Sequence, residues 1–211
     1  MSTVTRWWWV RHAPVPTGAG MVYGQMDLEA DCSDRPSFEA LAAHLPADAI
    51  LLTSDLKRTA QTADAIRAAG LALPPAIVEP ALREQSFGDW QGLTHEEFAA
   101  MGDMVPHRHW RAPAFMRAPN GESFADLIAR AAPAITRLST AHEGADIVAV
   151  AHGGTIRAAM ALALGLDPER ALAFSTVNLG VTRLDYITDL AEGVAWRVTG
   201  VNWNPEFAAR R

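Results

Sequence analysis

The chain has 211 residues, of which 49% are hydrophobic and 20% are charged, and its formal net charge is −6. This length and composition predict one globular domain with a large core and exclude an intrinsically disordered protein. The acidic balance argues against a general nucleic-acid binder, because a phosphate backbone demands a basic surface. Cys32 is the only cysteine, so no internal disulfide forms, which suits a reducing compartment.

Two apolar stretches raise the question of export or membrane insertion. WWWV at residues 7–10 is too short for the hydrophobic region of a signal peptide. Residues 147–166 are long enough for a membrane span, but they contain His152, Arg157 and a Gly-Gly pair, which favour a buried strand, a turn and a helix. We therefore expect a cytoplasmic protein with neither a membrane nor a nucleic-acid partner.

Three segments in chain order share one pattern, a short apolar run followed by a polar turn. They are WWWV (7–10), AILLTSDLKRTAQTADAIRAAG (49–70) and IVAVAHGGTIRAAMALALG (147–165). In the second segment Ser54 is placed to cap a helix that stops at Gly70, and the helix of the third stops at Gly165. Uninterrupted apolar strands are typical of a parallel sheet covered by helices on both faces.

The remaining segments complete the predicted fold. A short strand is predicted at 76–79, and residues 87–120, with one helical patch at 94–101, are predicted to be an insertion over the sheet that shapes a pocket. Ser123 and Asp126 indicate a capping box for a helix to about His142, which Pro133 kinks or divides. VNLGVTRLDYI and GVAWRVTGVNW predict an edge pair of strands. We expect a single α/β domain, 1–211, with three α/β/α layers, a mainly parallel sheet and a loop-rich cap.

The sheet brings chemistry-bearing side chains to one edge. His12 and His152 each follow a predicted strand, Arg58 lies in the first turn of a helix that follows another, and Arg11 adds a second guanidinium. Ligands of parallel sheets bind beyond the carboxyl ends of the strands. Arginine forks match phosphate oxygens, and a neutral imidazole can attack phosphorus. The arrangement predicts phosphoryl transfer through a phosphohistidine.

Such a transfer also needs a proton for the leaving oxygen. EPALREQSFGDWQGLT offers three carboxylates, Glu79, Glu84 and Asp89, just after the predicted short strand. A carboxyl group can donate to the leaving group and later accept a proton from water. Spacing alone does not choose among the three.

Four motifs in order, VRHA, TSDLKRTAQTA, LREQSFGDWQGLT and VAVAHGGTIR, resemble the histidine phosphatase superfamily, in the branch that contains phosphoglycerate mutases and small phosphatases. The resemblance covers most of the chain. It implies that His12 is the phosphorylated nucleophile, that Arg11, Arg58 and His152 bind phosphate, and that Glu84 is the proton donor. It further implies a metal-independent phosphomonoesterase without a cofactor, acting on a small phosphorylated substrate, with the α-ribazole phosphatases as a plausible subgroup.

Two positions depart from the pattern of this family. Ala13 replaces the usual glycine after the nucleophile, and Gly18 replaces an asparagine that contacts phosphate in many members. The loop therefore holds phosphate less tightly or through another group, for which Thr17 is a candidate.

Other functions compete with this one. A phosphoglycerate mutase uses the same pocket, although FGDWQG and the short chain favour a phosphatase. A non-catalytic phospholigand-binding module would not need a proton donor. A metallohydrolase on His107 and His109 lacks further ligands nearby, and GAGMVYG (18–24) lacks the strand–helix context of a dinucleotide loop. The three tryptophans of WWWV are predicted to pack in the core.

One basic cluster bears on the substrate. It comprises His107, Arg108, His109, Arg111 and Arg117 in an otherwise acidic chain. We hypothesise that it projects into the pocket and favours a substrate with a second anionic group.

Overall fold

A central sheet of six strands organises the molecule. The structure, a computed structural model, describes residues 2–101, 107–189, 191 and 193–204. The strands are β1 Ser2–Arg11, β2 Ile50–Thr53, β3 Ile77–Val78, β4 Asp146–Ala151, β5 Val181–Asp189 and β6 Gly193–Trp203, in the spatial order β3-β2-β4-β1-β5-β6. The first four run parallel, whereas β5 and β6 are antiparallel to their neighbours. The predicted mainly parallel sheet with a closing edge pair is confirmed.

Helices cover both faces of this sheet. They are α1 Arg35–His44, α2 Lys57–Ala68, α3 His95–Ala100, α4 Phe124–Ala141, α5 Gly153–Leu164 and α6 Pro168–Ala171, with short 3-10 turns at Pro16–Gly18, Pro80–Leu82 and Gly88–Trp90. Residues of α1 and α2 share one apolar cluster with the sheet, and residues of α4 and α5 share the other. The result is the predicted three-layer α/β/α architecture.

Strand β1 shows why an uninterrupted apolar run is required. Trp7 and Trp9 face the α4–α5 cluster, are fully buried and stack with ring centroids 4.7 Å apart. Val10 faces the α1–α2 cluster, and Trp8 packs partly against it. Because successive side chains of a strand alternate between faces, both faces of β1 must be apolar. The predicted core role of Trp7 and Trp9 is confirmed.

Two local predictions about helix boundaries need correction. Helix α2 begins at Lys57 with Leu56 at its N-cap, so Ser54 does not cap it. The Ser54 hydroxyl is engaged elsewhere, as described below. Helix α4 runs through Pro133 as one helix, so of the two predicted effects of this proline, a kink or a division, the division is wrong and the kink stays a prediction; the Ser123 capping box is present as predicted. Tertiary packing explains the continuity, because the apolar face of α4 is buried in the core and outweighs one missing backbone hydrogen bond.

Residues 87–101 and 107–120 form their own small apolar cluster near the carboxyl edge of the sheet. Phe87, Trp90 and Phe98 pack together there with Val22, and helix α3 matches the predicted helical patch. The status of this segment as an insertion stays a prediction. Residues 147–166 form most of β4 and all of α5, as predicted. Within the described ranges, every helix is too short or too polar to cross a membrane.

Candidate active site

Four predicted site residues meet at the carboxyl ends of neighbouring parallel strands. Arg11 at the end of β1 pairs in register with Ala151 at the end of β4, so the next residues come side by side. The rings of His12 and His152 have centroids 5.2 Å apart. Strand β2 lies on the other side of β4, and the helix after it brings the Arg58 Nε to 3.3 Å from the His152 Nδ1. The shared edge of the parallel strands is what assembles this group.

One hydrogen bond fixes which nitrogen of the buried His12 ring carries the proton. The Nδ1 atom lies 2.7 Å from the carbonyl oxygen of Ala13. Since a carbonyl only accepts, Nδ1 is protonated and Nε2 keeps its lone pair. Burial lowers the pKa of His12 well below its usual value, and the charges of Arg58 and Arg11 lower it further. A neutral ring with a free Nε2 is the nucleophilic form of histidine.

His152 is held in the opposite tautomer. The guanidinium of Arg58 has no acceptor, so its Nε–H donates to the His152 Nδ1, and the Nε2–H of His152 donates to the Ser54 Oγ at 2.8 Å. Burial lowers the pKa of His152 well below its usual value, and the charge of Arg58 adds to this effect. Ser54 therefore orients the second histidine, a role that its position in the sequence did not reveal.

These two histidines should make stability depend on pH near neutrality. Their pKa values are lower in the folded than in the unfolded chain, so the unfolded chain binds more protons below about pH 6.5. The stability is fully present above that pH and falls as the pH decreases. Between pH 7.5 and 5.5 we expect a loss of ~1.4 kcal/mol per histidine in the free energy of unfolding.

Urea unfolding at the two pH values measures this loss. Most carboxyl groups do not titrate in that range, so histidines dominate the change. The variant His12→Ala should lose ~1.4 kcal/mol less than the wild type over this range, because the contribution of His12 is removed while those of His152, His44 and His95 remain. An equal free energy of unfolding of the wild-type chain at pH 7.5 and 5.5 would contradict the neutral, buried state of both rings.

Two arginines supply positive charge beside the histidines. Arg58 is fully buried, and its Nη1 and Nη2 donate to the carbonyl oxygens of Met26 and Gly24, both at 2.7 Å. Arg11 donates from Nη1 to the Thr176 carbonyl oxygen at 2.6 Å. Its Nε is buried and has no hydrogen-bond partner in the part of the chain that the structure describes. A buried donor of this kind fits an oxyanion ligand.

Glu84 lies against the N-terminus of helix α5, which begins directly after His152. Both of its carboxylate oxygens lie 3.1 Å from the Gly154 amide nitrogen at the start of α5, and Oε1 also accepts from the Gln85 amide. A Cβ added at Gly154 would come within 2.3 Å of the Glu84 Oε1. Glycine at position 154 is therefore what lets the carboxylate approach the helix N-terminus.

A polar cavity of about 390 Å³ lies against Arg11 and Glu84. Its walls are formed by Arg11, Glu84, Arg108, His109, Trp110, Arg111, Gly153 and Arg157. A smaller cavity of about 80 Å³ shares Arg11, Glu84, Trp110 and Arg111 and adds Tyr23 and Phe87 among its walls. A concave site with several cations and one carboxylate is suited to a small anionic ligand.

A comparison of the sequence with models of known protein families agrees with the geometry of this site. A family model described as the histidine phosphatase superfamily (branch 1) matches residues 7–199. The chain belongs to this superfamily. The resemblance carried by the four sequence motifs is confirmed, and with it the class of enzyme, a histidine phosphatase that hydrolyses phosphomonoesters.

Several relatives of this histidine phosphatase are known. A glucosyl-3-phosphoglycerate phosphatase from Mycolicibacterium vanbaalenii is 34% identical over 94% of this chain and 95% of its own. A metal-independent phosphoserine phosphatase from Arabidopsis thaliana is 29% identical over 74% of this chain and 68% of its own. The native structure of a mycobacterial glucosyl-3-phosphoglycerate phosphatase has a TM-score of 0.79 at 29% identity, over 94% of this chain and 99% of that one.

The relation to α-ribazole phosphatases is more distant. An Escherichia coli protein described as a candidate alpha-ribazole-5'-P phosphatase has a TM-score of 0.74 at 22% identity, over 95% of this chain and 98% of that one. At this identity the likeness is one of fold alone, so the subgroup stays a prediction.

The structure separates the three carboxylates that spacing left open in this phosphatase. Glu84 lines both cavities. Glu79 accepts from the Ala81 amide and forms an ion pair with Arg137, and Asp89 accepts from the Asn120 side chain. Glu84 is therefore the one of the three that the fold brings to the cavities beside Arg11.

The structure divides the basic cluster into residues that line the larger cavity and residues that do not. Arg108, His109 and Arg111 line the larger cavity, in line with the hypothesis. His107 instead places Nε2 2.7 Å from the Glu169 Oε1, and Arg117 forms an exposed pair with Asp126 at 2.6 Å. For these two residues the hypothesis is wrong, because a nearby carboxylate binds each of them.

In the described ranges no group of three or more His, Cys, Asp or Glu residues could hold a metal ion.

Arg157 is the functional candidate that the sequence interpretation missed. It is buried on α5 and donates to the carbonyl oxygens of Phe174 and Gly153 and to the Thr176 hydroxyl. Its guanidinium lies 4.6 Å from the centroid of the Trp110 ring. Burial lowers its pKa to about 10, so it remains charged at neutral pH. The sequence offered one sign of this role. Arg157 lies one turn after the Gly-Gly pair, on a helix that starts at the site.

The two positions that depart from the family pattern lie in the loop after His12. Ala13 is fully buried, and its amide donates to the Thr62 hydroxyl at 2.9 Å. A Cβ on Gly18 would lie 2.6 Å from the Tyr23 Cδ1, so glycine there lets the Tyr23 ring pack against the loop. Thr17 is exposed, and its contact with phosphate stays a prediction.

Proposed function

We propose that this protein is a metal-independent phosphomonoesterase in which His12 becomes transiently phosphorylated. The observation that carries the proposal is the buried His12 ring, protonated on Nδ1 by its bond to the Ala13 carbonyl and flanked by the charges of Arg11 and Arg58. That environment keeps the imidazole neutral and gathers donors for a tetrahedral oxyanion.

The reaction runs in two steps. The His12 Nε2 attacks phosphorus, the bond to the leaving oxygen breaks, and Glu84 gives that oxygen a proton. Water then attacks the phosphohistidine, Glu84 takes a proton from the water, and the P–N bond breaks to release phosphate. Arg11 and Arg58 hold the phosphoryl oxygens throughout, which supplies the charge stabilisation that phosphoryl transfer requires, and His152 lies beside them, fixed by its bonds to Arg58 and Ser54.

The substrate is a small phosphorylated metabolite that carries a second anionic group. Three arginines, Arg108, Arg111 and Arg157, line the larger cavity beyond the phosphate-binding residues, and Glu84 is the carboxylate that faces them. Such an excess of positive charge suits a leaving group with its own carboxylate. Two relatives are named for substrates of that chemistry, glucosyl-3-phosphoglycerate and phosphoserine.

Removing charge from this cavity should therefore affect substrates unequally. In the double variant Arg108→Gln/Arg111→Gln we expect KM for 3-phosphoglycerate to rise ~10-fold or more, because charge-assisted hydrogen bonds to its carboxylate are lost. KM for p-nitrophenyl phosphate, which has no second anion, should change less than ~3-fold. Steady-state kinetics with both substrates, with Arg117→Gln as the matched control, measures the difference. An equal rise for both substrates would remove the proposed second anion site.

The experiment that tests the reaction itself is hydrolysis of p-nitrophenyl phosphate in EDTA by the wild-type chain and by His12→Ala. Release of inorganic phosphate that needs His12 supports the phosphatase. A mutase would instead return the phosphoryl group to an acceptor hydroxyl, and a binding module would bind phosphate without turnover. We place the reaction in the cytoplasm, in line with the single, free Cys32.

A further inference from the structure

Arg130 on α4 binds the backbone that carries Glu84 with three of its N–H groups and the Glu122 carboxylate with the other two. Its Nη1 donates to the carbonyl oxygens of Ala81, at 2.8 Å, and Arg83, at 3.2 Å. Its Nη2 donates to the Glu84 carbonyl oxygen at 3.2 Å and to the Glu122 Oε2 at 2.9 Å. The Nε donates to the Glu122 Oε1 at 2.8 Å. A guanidinium has five N–H groups, and here all five have an acceptor.

Glu122 extends this clamp to the residues after Glu84. Its Oε2 accepts from the Ser86 amide at 3.0 Å, and its own amide donates to the Ser86 carbonyl oxygen at 2.8 Å. The Gln85 side chain donates to the Glu122 carbonyl oxygen at 2.8 Å. Arg130 and Glu122 thus form a bidentate pair that holds the chain on both sides of Glu84, and their side chains are only 25% and 21% exposed.

The clamp fixes the backbone of Glu84 and leaves its carboxylate to other partners. The carboxylate accepts from the Gly154 amide and lines the cavities, whereas the carbonyl oxygens of 81, 83 and 84 are bound by Arg130. A proton donor works only within hydrogen-bond reach of the leaving oxygen, and a misplacement of about 1 Å can cost ~10²-fold in rate. The position of the 81–86 backbone therefore determines how well Glu84 can act.

We propose that Arg130 is a positioning residue, which acts through the backbone of residues 81–84 to place Glu84 for proton transfer to the leaving oxygen. This inference rests on the proposed function, in which Glu84 is the proton donor. Lysine cannot replace Arg130, since an ammonium has three donors on a flexible stem and cannot bind three carbonyl oxygens and a carboxylate at once.

The leaving group provides the test. A poor leaving group such as the alkoxide of β-glycerophosphate needs a proton from Glu84, whereas 2,4-dinitrophenolate leaves without one. The value of kcat/KM reports the steps up to release of the leaving group. For Arg130→Lys we expect kcat/KM to fall ~10-fold for β-glycerophosphate and less than ~3-fold for 2,4-dinitrophenyl phosphate. Loss of fold or of active enzyme would lower both values equally.

Glu84→Gln is the reference, because it removes the proton donor itself. It should lower kcat/KM for β-glycerophosphate ~10²-fold or more and again spare 2,4-dinitrophenyl phosphate. If Glu84→Gln lowers both substrates equally, the proton-donor role of Glu84 fails, and the inference on Arg130 falls with it. If only Glu84→Gln discriminates between the substrates, the function stands and the inference on Arg130 is overturned.

Two further variants separate positioning from general stability. Arg137→Lys is the matched control. Arg137 lies on the same helix and pairs with Glu79, but it does not bind the carbonyl oxygens of 81–84. The kcat/KM values of Arg137→Lys should therefore equal those of the wild type. Glu122→Gln weakens the clamp while keeping Arg130, and it should show the same leaving-group dependence, ~3-fold or more for β-glycerophosphate. A folded Glu122→Gln variant with equal losses for both substrates would contradict the inference, even if Arg130→Lys does not fold.

Discussion

The His12→Ala variant should lose at least ~10⁴-fold in kcat for p-nitrophenyl phosphate, while the wild-type chain hydrolyses it in EDTA. Alanine removes the Nε2 lone pair, and the remaining charges of Arg11 and Arg58 can bind phosphate but cannot form the covalent intermediate. The size of the loss follows from the mechanism, since the only other neutral imidazole beside the same two arginines in the described site, that of His152, has both ring nitrogens engaged. His152 does not substitute, because its Nε2–H is donated to Ser54 and its Nδ1 accepts from Arg58.

Activity and trapping measurements together check this result. Rapid quenching in alkaline detergent, which preserves the acid-labile P–N bond of a phosphohistidine, should trap label from a radiolabelled phosphate ester on the wild-type chain and none on His12→Ala. His44→Ala is the matched control, because His44 stacks on Trp203 against the other face of the sheet, with ring centroids 3.9 Å apart. Residual hydrolysis in His12→Ala equal to that of the wild type would rule out His12 as the nucleophile.

Much of this arrangement could be predicted from the sequence. It depends on the order of strands and turns along the chain and on the fact that ligands of parallel sheets bind at the carboxyl ends of the strands. WWWV predicted a two-sided strand, and the turns after the strands placed His12 and His152 at one edge before any contact was known. The capping box of Ser123 and Asp126 could also be predicted, since its two residues lie three positions apart in the sequence.

The rest depends on contacts between residues far apart in the chain. Ser54 has the sequence context of an N-cap, but a bond to His152, 98 residues away, takes its hydroxyl. Spacing did not choose among Glu79, Glu84 and Asp89; the motif resemblance implied Glu84, which is the one whose carboxylate meets the N-terminus of α5. Arg130 shows no sign in the sequence that it binds the backbone before Glu84, because helical spacing alone describes it as an ordinary polar position. Spacing finds elements and their ends, whereas these pairings belong to the tertiary fold.

Arg58 illustrates how one buried side chain can serve both the fold and the reaction, and replacing it should have the second largest effect. In Arg58→Lys we expect kcat/KM for p-nitrophenyl phosphate to fall ~10³-fold. The planar fork of Arg58 binds the carbonyl oxygens of Gly24 and Met26 and, through Nε, the Nδ1 of His152. Lysine keeps the charge but not this geometry, so His152 loses the donor that fixes its tautomer and the phosphoryl oxygens lose a fixed cation.

The predicted loss depends on the position of Arg58 and not on positive charge on α2 in general. Arg67→Lys changes the same side chain in the last turn of that helix, where Arg67 pairs with Asp64, and kcat/KM should stay within ~2-fold of the wild type. Competitive inhibition by inorganic phosphate should weaken in Arg58→Lys and stay unchanged in Arg67→Lys, because phosphate binding reports the cation directly. A folded Arg58→Lys variant with wild-type kcat/KM and wild-type phosphate inhibition would mean that Arg58 only supports the loop at 24–26. The phosphoryl group would then have to be held by Arg11 and the cavity arginines instead.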